Sequence, residues 1–211
     1  MYIRKQFRRE RLRIPMDKVV LKLALHRKSI RRYKSDKIDL SKILYAIKTA
    51  LQAPSGANQQ PWRFIIVEDP EVKAEIRKIC EDLEKKFYSR VKKELKEWLL
   101  SRGFTWKKPF LTEAPYLIAV FAELGKPYAV QSTWLAIGYL LLALEEAGLA
   151  SLTYTPPSSP ELLEILRVPE GFQLQTIIPV GIAGEDKRKE PRKKLHEVTF
   201  YNRWGTTLMQ D

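Results

Sequence analysis

The sequence predicts a layered α+β (α/β) fold, and three observations carry that prediction. Short runs rich in β-branched and aromatic residues, such as WRFIIV (62–67), lie between prolines and other turn residues, as strands do. Between such runs apolar residues return at helical spacing, so helices interleave with at least four strands. The 211 residues are 45 % hydrophobic and include five tryptophans, enough to fill one domain's core and too much for a disordered chain.

In chain order, DKVVLKLALHR (17–27) sets Val20, Leu21, Ala24 and Leu25 on one helical face, and RKSIRRY breaks the pattern. Asp39 caps a helix with Ile43, Leu44, Ile47 and Leu51 at helical spacing, and Pro54 stops it. APSGANQQPW (53–62) then spends two prolines and a glycine on ten residues without a titratable group, a stiff turn suited to holding something by its backbone. WRFIIVEDP is the first strand. Residues 71–108 become charged with scattered large apolar residues, one or two surface helices broken near Gly103 that read as a mobile cover. APYLIAVFAE (114–123) is a strand. PYAVQSTWLAIGYLLLALEEAG (127–148) is a long central helix, apolar almost all round, with Pro127 in its first turn and Gly148 past its end. ASLTYTP (150–156) reads as a strand entering a loop, SSPELLEILRV as a serine-capped helix and QLQTIIPVGIAG (173–184) as the last strand. The expected organisation is a basic arm over 1–16 and a domain over 17–211, with a lid at about 70–110 and a C-terminal arm at about 187–211.

The most apolar run, WLAIGYLLLAL (134–144), is too short to cross a bilayer, and MYIRKQFRRE lacks the apolar core of a signal peptide. A lone cysteine, Cys80, suits a reducing cytoplasm, and the isolated His26 and His196 suggest no metal site. Of the formal charge of +13, residues 1–16 and KRKEPRKK (187–194) each carry six Arg or Lys against one Glu. Such segments can meet nucleic acid, an anionic membrane or one phosphorylated ligand.

RKSIRRY (27–33), the stiff turn and PRKKL (191–195) carry the chemistry. Two basic clusters can converge on one phosphate, with Ser29 adding a hydroxyl and arginine its paired hydrogen bonds. No glycine-rich P-loop or G-x-G-x-x-G follows a strand, so a compact monophosphate suits the chain better than a nucleoside triphosphate or a Rossmann-bound dinucleotide.

In this order, R-K-S-I-R-x-Y, P-S-G-A-N-x-Q-P-W-x-F and the proline-led basic segment resemble the FMN-dependent nitroreductase superfamily over about residues 18–204. The resemblance implies a central mixed sheet flanked by helices and an intertwined homodimer with flavin at the subunit interface. It places Arg27, Lys28, Ser29 and Arg31 near the flavin phosphate or ring edge, with Arg192 and Lys194 reaching it from the C-terminal segment. Pro54, Ser55, Gly56 and Asn58 then lie along the flavin, whose polar atoms need fixed donors and acceptors that rigid backbone supplies at little entropic cost.

FLTEAP (110–115), LLLALEEAGLAS (140–151) and TYTPPS before PELLEIL resemble more narrowly the iodotyrosine deiodinase branch. That branch implies a lid glutamate, a tyrosine four residues later and a lysine beyond a tryptophan, and Glu84, Tyr88 and Lys108 match. A carboxylate meets the ammonium of an amino-acid zwitterion, an ammonium meets its carboxylate, and lid closure strengthens both by excluding water. By the same likeness Thr155 donates to flavin N5 in one-electron chemistry, the Ala57 N–H holds the substrate phenolate oxygen, and NAD(P)H or another reductant supplies electrons. Asn58 stands where animal deiodinases usually carry histidine.

Plainer readings stand beside these. Glu84 and Tyr88 could be helix-surface support of about 0.2–0.5 kcal/mol, Thr155 a strand-end hydroxyl and Ser29 a helix stop. Arg32, Lys34, Lys187, Arg188 and Lys193 read as solvated charge, and Trp106 and the 134–144 run as core or interface. The whole pattern predicts an FMN enzyme that reductively removes halogen from a halogenated tyrosine. An NAD(P)H-dependent nitro- or quinone reductase would share the flavin residues without needing a zwitterion clamp. A basic protein binding nucleic acid or a membrane surface would need neither.

Overall fold

The computed structural model describes residues 17–157 and 159–206. Its elements are α1 (Val19–His26), α2 (Leu40–Ala50), a 3-10 turn (Gly56–Asn58), β1 (Trp62–Val67), α3 (Pro70–Arg90), α4 (Lys93–Ser101), α5 (Phe110–Glu113), β2 (Tyr116–Glu123), α6 (Ala129–Glu146), β3 (Ala150–Ser151), α7 (Pro160–Ile165), β4 (Phe172–Gly181) and α8 (Leu195–Val198). Caps set several boundaries. Asp39 accepts from the Ser41 N–H at 2.8 Å to start α2, and Asp69 accepts from the Glu71 and Val72 N–H groups to start α3, with Pro70 at its first position.

The sheet has the order β1-β2-β4-β3 and lies between two helical layers. Tyr116, Ile118 and Val120 of β2 face a core shared with α2 and α6, while Leu117, Ala119 and Phe121 face one shared with α3, α5 and α7. Strand alternation therefore gives an unbroken apolar run, because both faces are covered.

Each ladder is antiparallel, which corrects the expected mixed sheet. Val67 pairs with Leu117, so the α3–α5 excursion returns the chain to the end of the sheet that it left, whereas β2 ends where Glu123 pairs with Phe172 and β3 begins where Ala150 pairs with Gly181, so α6 carries the chain to the opposite end. An isolated Ser29–Ser151 bridge is parallel and sets the RKSIRRY loop beside β3.

The long helix α6 is not buried all round. Ala136, Ile137, Leu140 and Leu144 point into the core, yet Trp134, Leu135 and Tyr139 are 40 %, 49 % and 41 % exposed, because the sheet and α2 cover only one side. On α1, Val20 and Leu25 likewise point outward. Pro127 precedes α6 rather than sitting in its first turn, since Tyr128 at φ 52° interrupts the helical path. Ser159 caps no backbone N–H; its hydroxyl donates to Glu161 at 2.7 Å. The charged segment forms two helices that part at Val91, and Gly103 at φ 74° follows the second.

Candidate functional site

The C-terminal half of α3, helix α4 and the loops at 31–32 and 152–155 line an open cavity of about 680 Å³. Glu84 and Tyr88, one turn apart on α3, line it together with Arg31, Lys108 and Thr155. Lys108 Nζ stands 3.2 Å from Glu84 Oε2, and both side chains are nearly buried, at 11 % and 12 % exposure. The same ammonium donates to the Thr105 carbonyl at 2.6 Å, and the Lys108 N–H donates to Glu81 Oε1 at 2.8 Å, which fixes the loop that carries it. Tyr88 donates to the Phe104 carbonyl at 2.9 Å, and the Arg31 guanidinium lies 5.0 Å from the centre of the Phe104 ring. Burial lowers the Lys108 pKa against the opposing pull of Glu84, and it lowers that of Arg31. On the cavity wall, the Thr155 hydroxyl donates to the Gln175 carbonyl at 3.3 Å.

Sequence reasoning passed over two residues here. Tyr154 donates to Glu84 Oε1 at 3.0 Å, and buried Cys80 stands beside it, its thiol pushed up to about 12 by burial. Their short-range sequence context is that of ordinary core residues. The signal in the sequence was the aromatic neighbour of Thr155 in TYTPPS.

A second feature is cationic. Arg27, Lys28, Ser29, Lys187, Arg188, Lys189 and Arg192, with Glu190 as the one acid among them, surround a notch of about 50 Å³. Both basic stretches thus meet, and Lys187 and Arg188, taken from the sequence as solvated charge, stand on its wall because the chain folds back across the 27–29 loop. Burial, then repulsion from Arg192 and Arg27, lowers the Lys189 pKa, so these cations crowd one another and a bound anion would relieve them. Arg31 faces the larger cavity instead, and Lys194 caps α8. Arg32 pairs with Glu113 at 2.9 Å.

The stiff turn stands apart from both features. The Gly56 N–H donates to Ser132 Oγ at 3.2 Å, and Ala57, Asn58 and Gln60 hold φ values of 48°, 54° and 46°. This turn feeds β1, one edge of the sheet, whereas Ser29 extends the opposite edge beyond β3. Four strand spacings separate them, about 19 Å. One chain therefore does not bring Pro54, Ser55, Gly56, Ala57 and Asn58 to the cationic notch.

The profile of the nitroreductase family matches residues 24–182. The chain belongs to the nitroreductase family. Within that family it is 51 % identical over 185 residues to the iodotyrosine deiodinase of Thermotoga neapolitana, covering 88 % of this chain and 98 % of the relative. It is 41 % identical over 171 residues to the iodotyrosine deiodinase of Haliscomenobacter hydrossis, covering 76 % and 77 %. A crystal structure of oxidized iodotyrosine deiodinase bound to FMN and 3-iodo-L-tyrosine superposes on this nitroreductase-family chain with a TM-score of 0.83 at 49 % identity, covering 88 % of this chain and all of that one.

Proposed function

We propose that this protein is an FMN-dependent oxidoreductase that reductively removes halogen from a halogenated tyrosine. The observation that carries this reading is the Glu84–Lys108 pair, two nearly buried opposite charges 3.2 Å apart in one cavity with Tyr88 and Thr155. Such a pair is complementary to an amino-acid zwitterion, which can replace it without leaving either charge uncompensated. A plain nitroarene offers no such exchange.

The crowded cations of the notch suit the FMN phosphate, with Arg27, Lys28, Ser29 and Arg192 holding it. When bound, FMN supplies the two electrons that, with one proton, convert the aryl halide to arene and free halide. Lys108 holds the ligand carboxylate, Glu84 its ammonium, and Tyr88 adds a hydrogen bond from the same helix. Thr155, whose hydroxyl donates to the Gln175 carbonyl within this chain, would turn that hydroxyl to the flavin, and Arg31 would add positive charge to that side of the cavity. The excursion 70–110 acts as a lid that excludes water and strengthens these contacts.

The remaining parts of the reading concern assembly. The turn at 54–58 is supplied by a second copy, because in one chain it lies on the wrong edge of the sheet, and its Ala57 N–H then receives the substrate phenolate. The outward apolar side chains of α1 and α6 are the surface that such a homodimer buries. Residues 187–206 serve as the C-terminal arm, which meets the 27–29 loop at the notch, while the basic arm expected over 1–16 and the last residues, 207–211, lie outside the described residues. No helix among the described residues is long and apolar enough to cross a membrane, and the lone cysteine fits a cytoplasmic setting.

The test is ligand binding to the yellow holoprotein, followed by quenching of flavin fluorescence. Glu84→Gln is expected to weaken 3-iodotyrosine far more than a nitroarene. Equal losses for the two would refute the zwitterion site and favour a general nitroreductase.

A further inference from the structure

Both charges of the clamp touch one residue of the sheet layer. The Tyr154 O–H donates to Glu84 Oε1 at 3.0 Å while Lys108 holds Oε2 at 3.2 Å, and the Lys108 ammonium stands 5.5 Å from the centre of the Tyr154 ring. Tyr154 itself is anchored. Its N–H donates to the Ile177 carbonyl at 3.0 Å, its carbonyl accepts from the Ile177 N–H at 2.8 Å and from Thr176 Oγ1 at 3.0 Å, and its ring packs edge-on against Phe110. The phenol is buried, which pushes its pKa far up, with the neighbouring Cys80 and Glu84 adding to the shift, so it remains a donor at working pH.

A zwitterionic ligand must part Lys108 from Glu84. An untethered carboxylate would follow the ammonium, since a nearly buried ion pair at this distance is held strongly. A tethered one stays in place.

We propose that Tyr154 is a positioning residue: its O–H holds Glu84 to the central sheet, so that Lys108 turns to the ligand carboxylate while Glu84 remains to receive the ammonium. The proposal rests on the zwitterion reading above. Because Thr155 is the next residue, the same short segment also sets the hydroxyl on the cavity wall. Tyr154 thereby keeps the amino-acid end of the ligand in register with the reacting ring.

Tyr154→Phe keeps the ring and removes only the hydroxyl. In the holoenzyme, with 3-iodotyrosine and 2-iodophenol as probes, the iodotyrosine Kd is expected to rise about tenfold, in line with a lost hydrogen bond to a charged group. Its KM should rise alongside with kcat held within about threefold, and the Kd of 2-iodophenol, which has no zwitterion, should stay unchanged. Glu84→Asp, which withdraws the carboxylate from the phenol but keeps its charge, should give the same selective loss. In a Glu84→Gln background Tyr154→Phe should add nothing, because the phenol acts through that carboxylate. Equal loss for both probes, or additive loss in the double variant, overturns the positioning role. If Glu84→Gln weakens iodotyrosine while Tyr154→Phe does not, the positioning role falls and the clamp stands. If Glu84→Gln has no effect, both fall together.

Discussion

Gly56→Ala is a small change with a large expected effect. A Cβ at this position would lie 2.7 Å from the Pro127 carbonyl oxygen and 2.9 Å from Tyr128 Cδ2, about 0.7 Å short of ordinary contact at the nearer atom. The exposed Tyr128 ring can swing aside, but the Pro127 carbonyl oxygen cannot retreat easily. Pro127 has its φ fixed by its ring, Tyr128 already sits in left-handed backbone, and the strand end just before them is tied by the Leu124 N–H to Gly171 at 2.7 Å. The turn must therefore move instead, breaking the 3.2 Å bond from the Gly56 N–H to Ser132. Overpacking costs about 1–3 kcal/mol and the lost bond about 1 more. For a chain of this length that corresponds to roughly 5–15 °C in Tm. The moved turn also carries Ala57 and Asn58, so FMN affinity should fall at least about tenfold, the equivalent of 1.4 kcal/mol. Thermal unfolding followed by far-UV circular dichroism, with FMN titration by fluorescence, reads both. A variant that melts like the parent and binds FMN equally well would refute the claim that close backbone packing holds this turn.

Three further outcomes follow from the same geometry. The folded Cys80 thiol keeps its proton up to about 12, against 9.0 ordinarily, so its contribution to stability is complete below pH 9 and lost between pH 9 and 12. Urea unfolding across that range should show a shallower alkaline loss for Cys80→Ala than for the parent. Because burial lowers the Lys108 pKa below the ordinary 10.5, halotyrosine affinity should fall at a lower pH in the parent than in Lys108→Arg, whose guanidinium keeps its charge; coincident profiles would contradict this. Tyr139→Glu places a charge on the outward face of α6, and in the proposed homodimer its burial would cost several kcal/mol. Light scattering should then find monomer, and the purified protein should lose most of its yellow colour.

The residues whose role is set by their immediate neighbours were legible in the sequence. Asp39 and Asp69 stand before helical runs, and a side chain two or three residues from a free N–H caps it wherever the helix later packs. The run YLIAVFA was legible as a strand from its short β-rich stretch between turn residues, and the structure buries both of its faces. Glu84 and Tyr88 share one helical face for the same local reason. The exposed side of α6 could not be read in this way. WLAIGYLLLAL is apolar all round, and periodicity records which side chains avoid water without saying whether this chain or another shields them.

Sequence alone therefore determined the longer helices, the strands and the two basic stretches, because capping, periodicity and charge act over a few residues, but not the four-residue helices α5 and α8 or the break at Val91. Only the tertiary structure decided that both strips of cations meet at one notch, that the stiff turn lies at the far edge of the sheet, and that Tyr154 reaches Glu84 across 70 residues of chain. Those outcomes depend on where each excursion re-enters the sheet. That is settled by the summed packing of two cores on either side of it, which no local stretch of residues encodes.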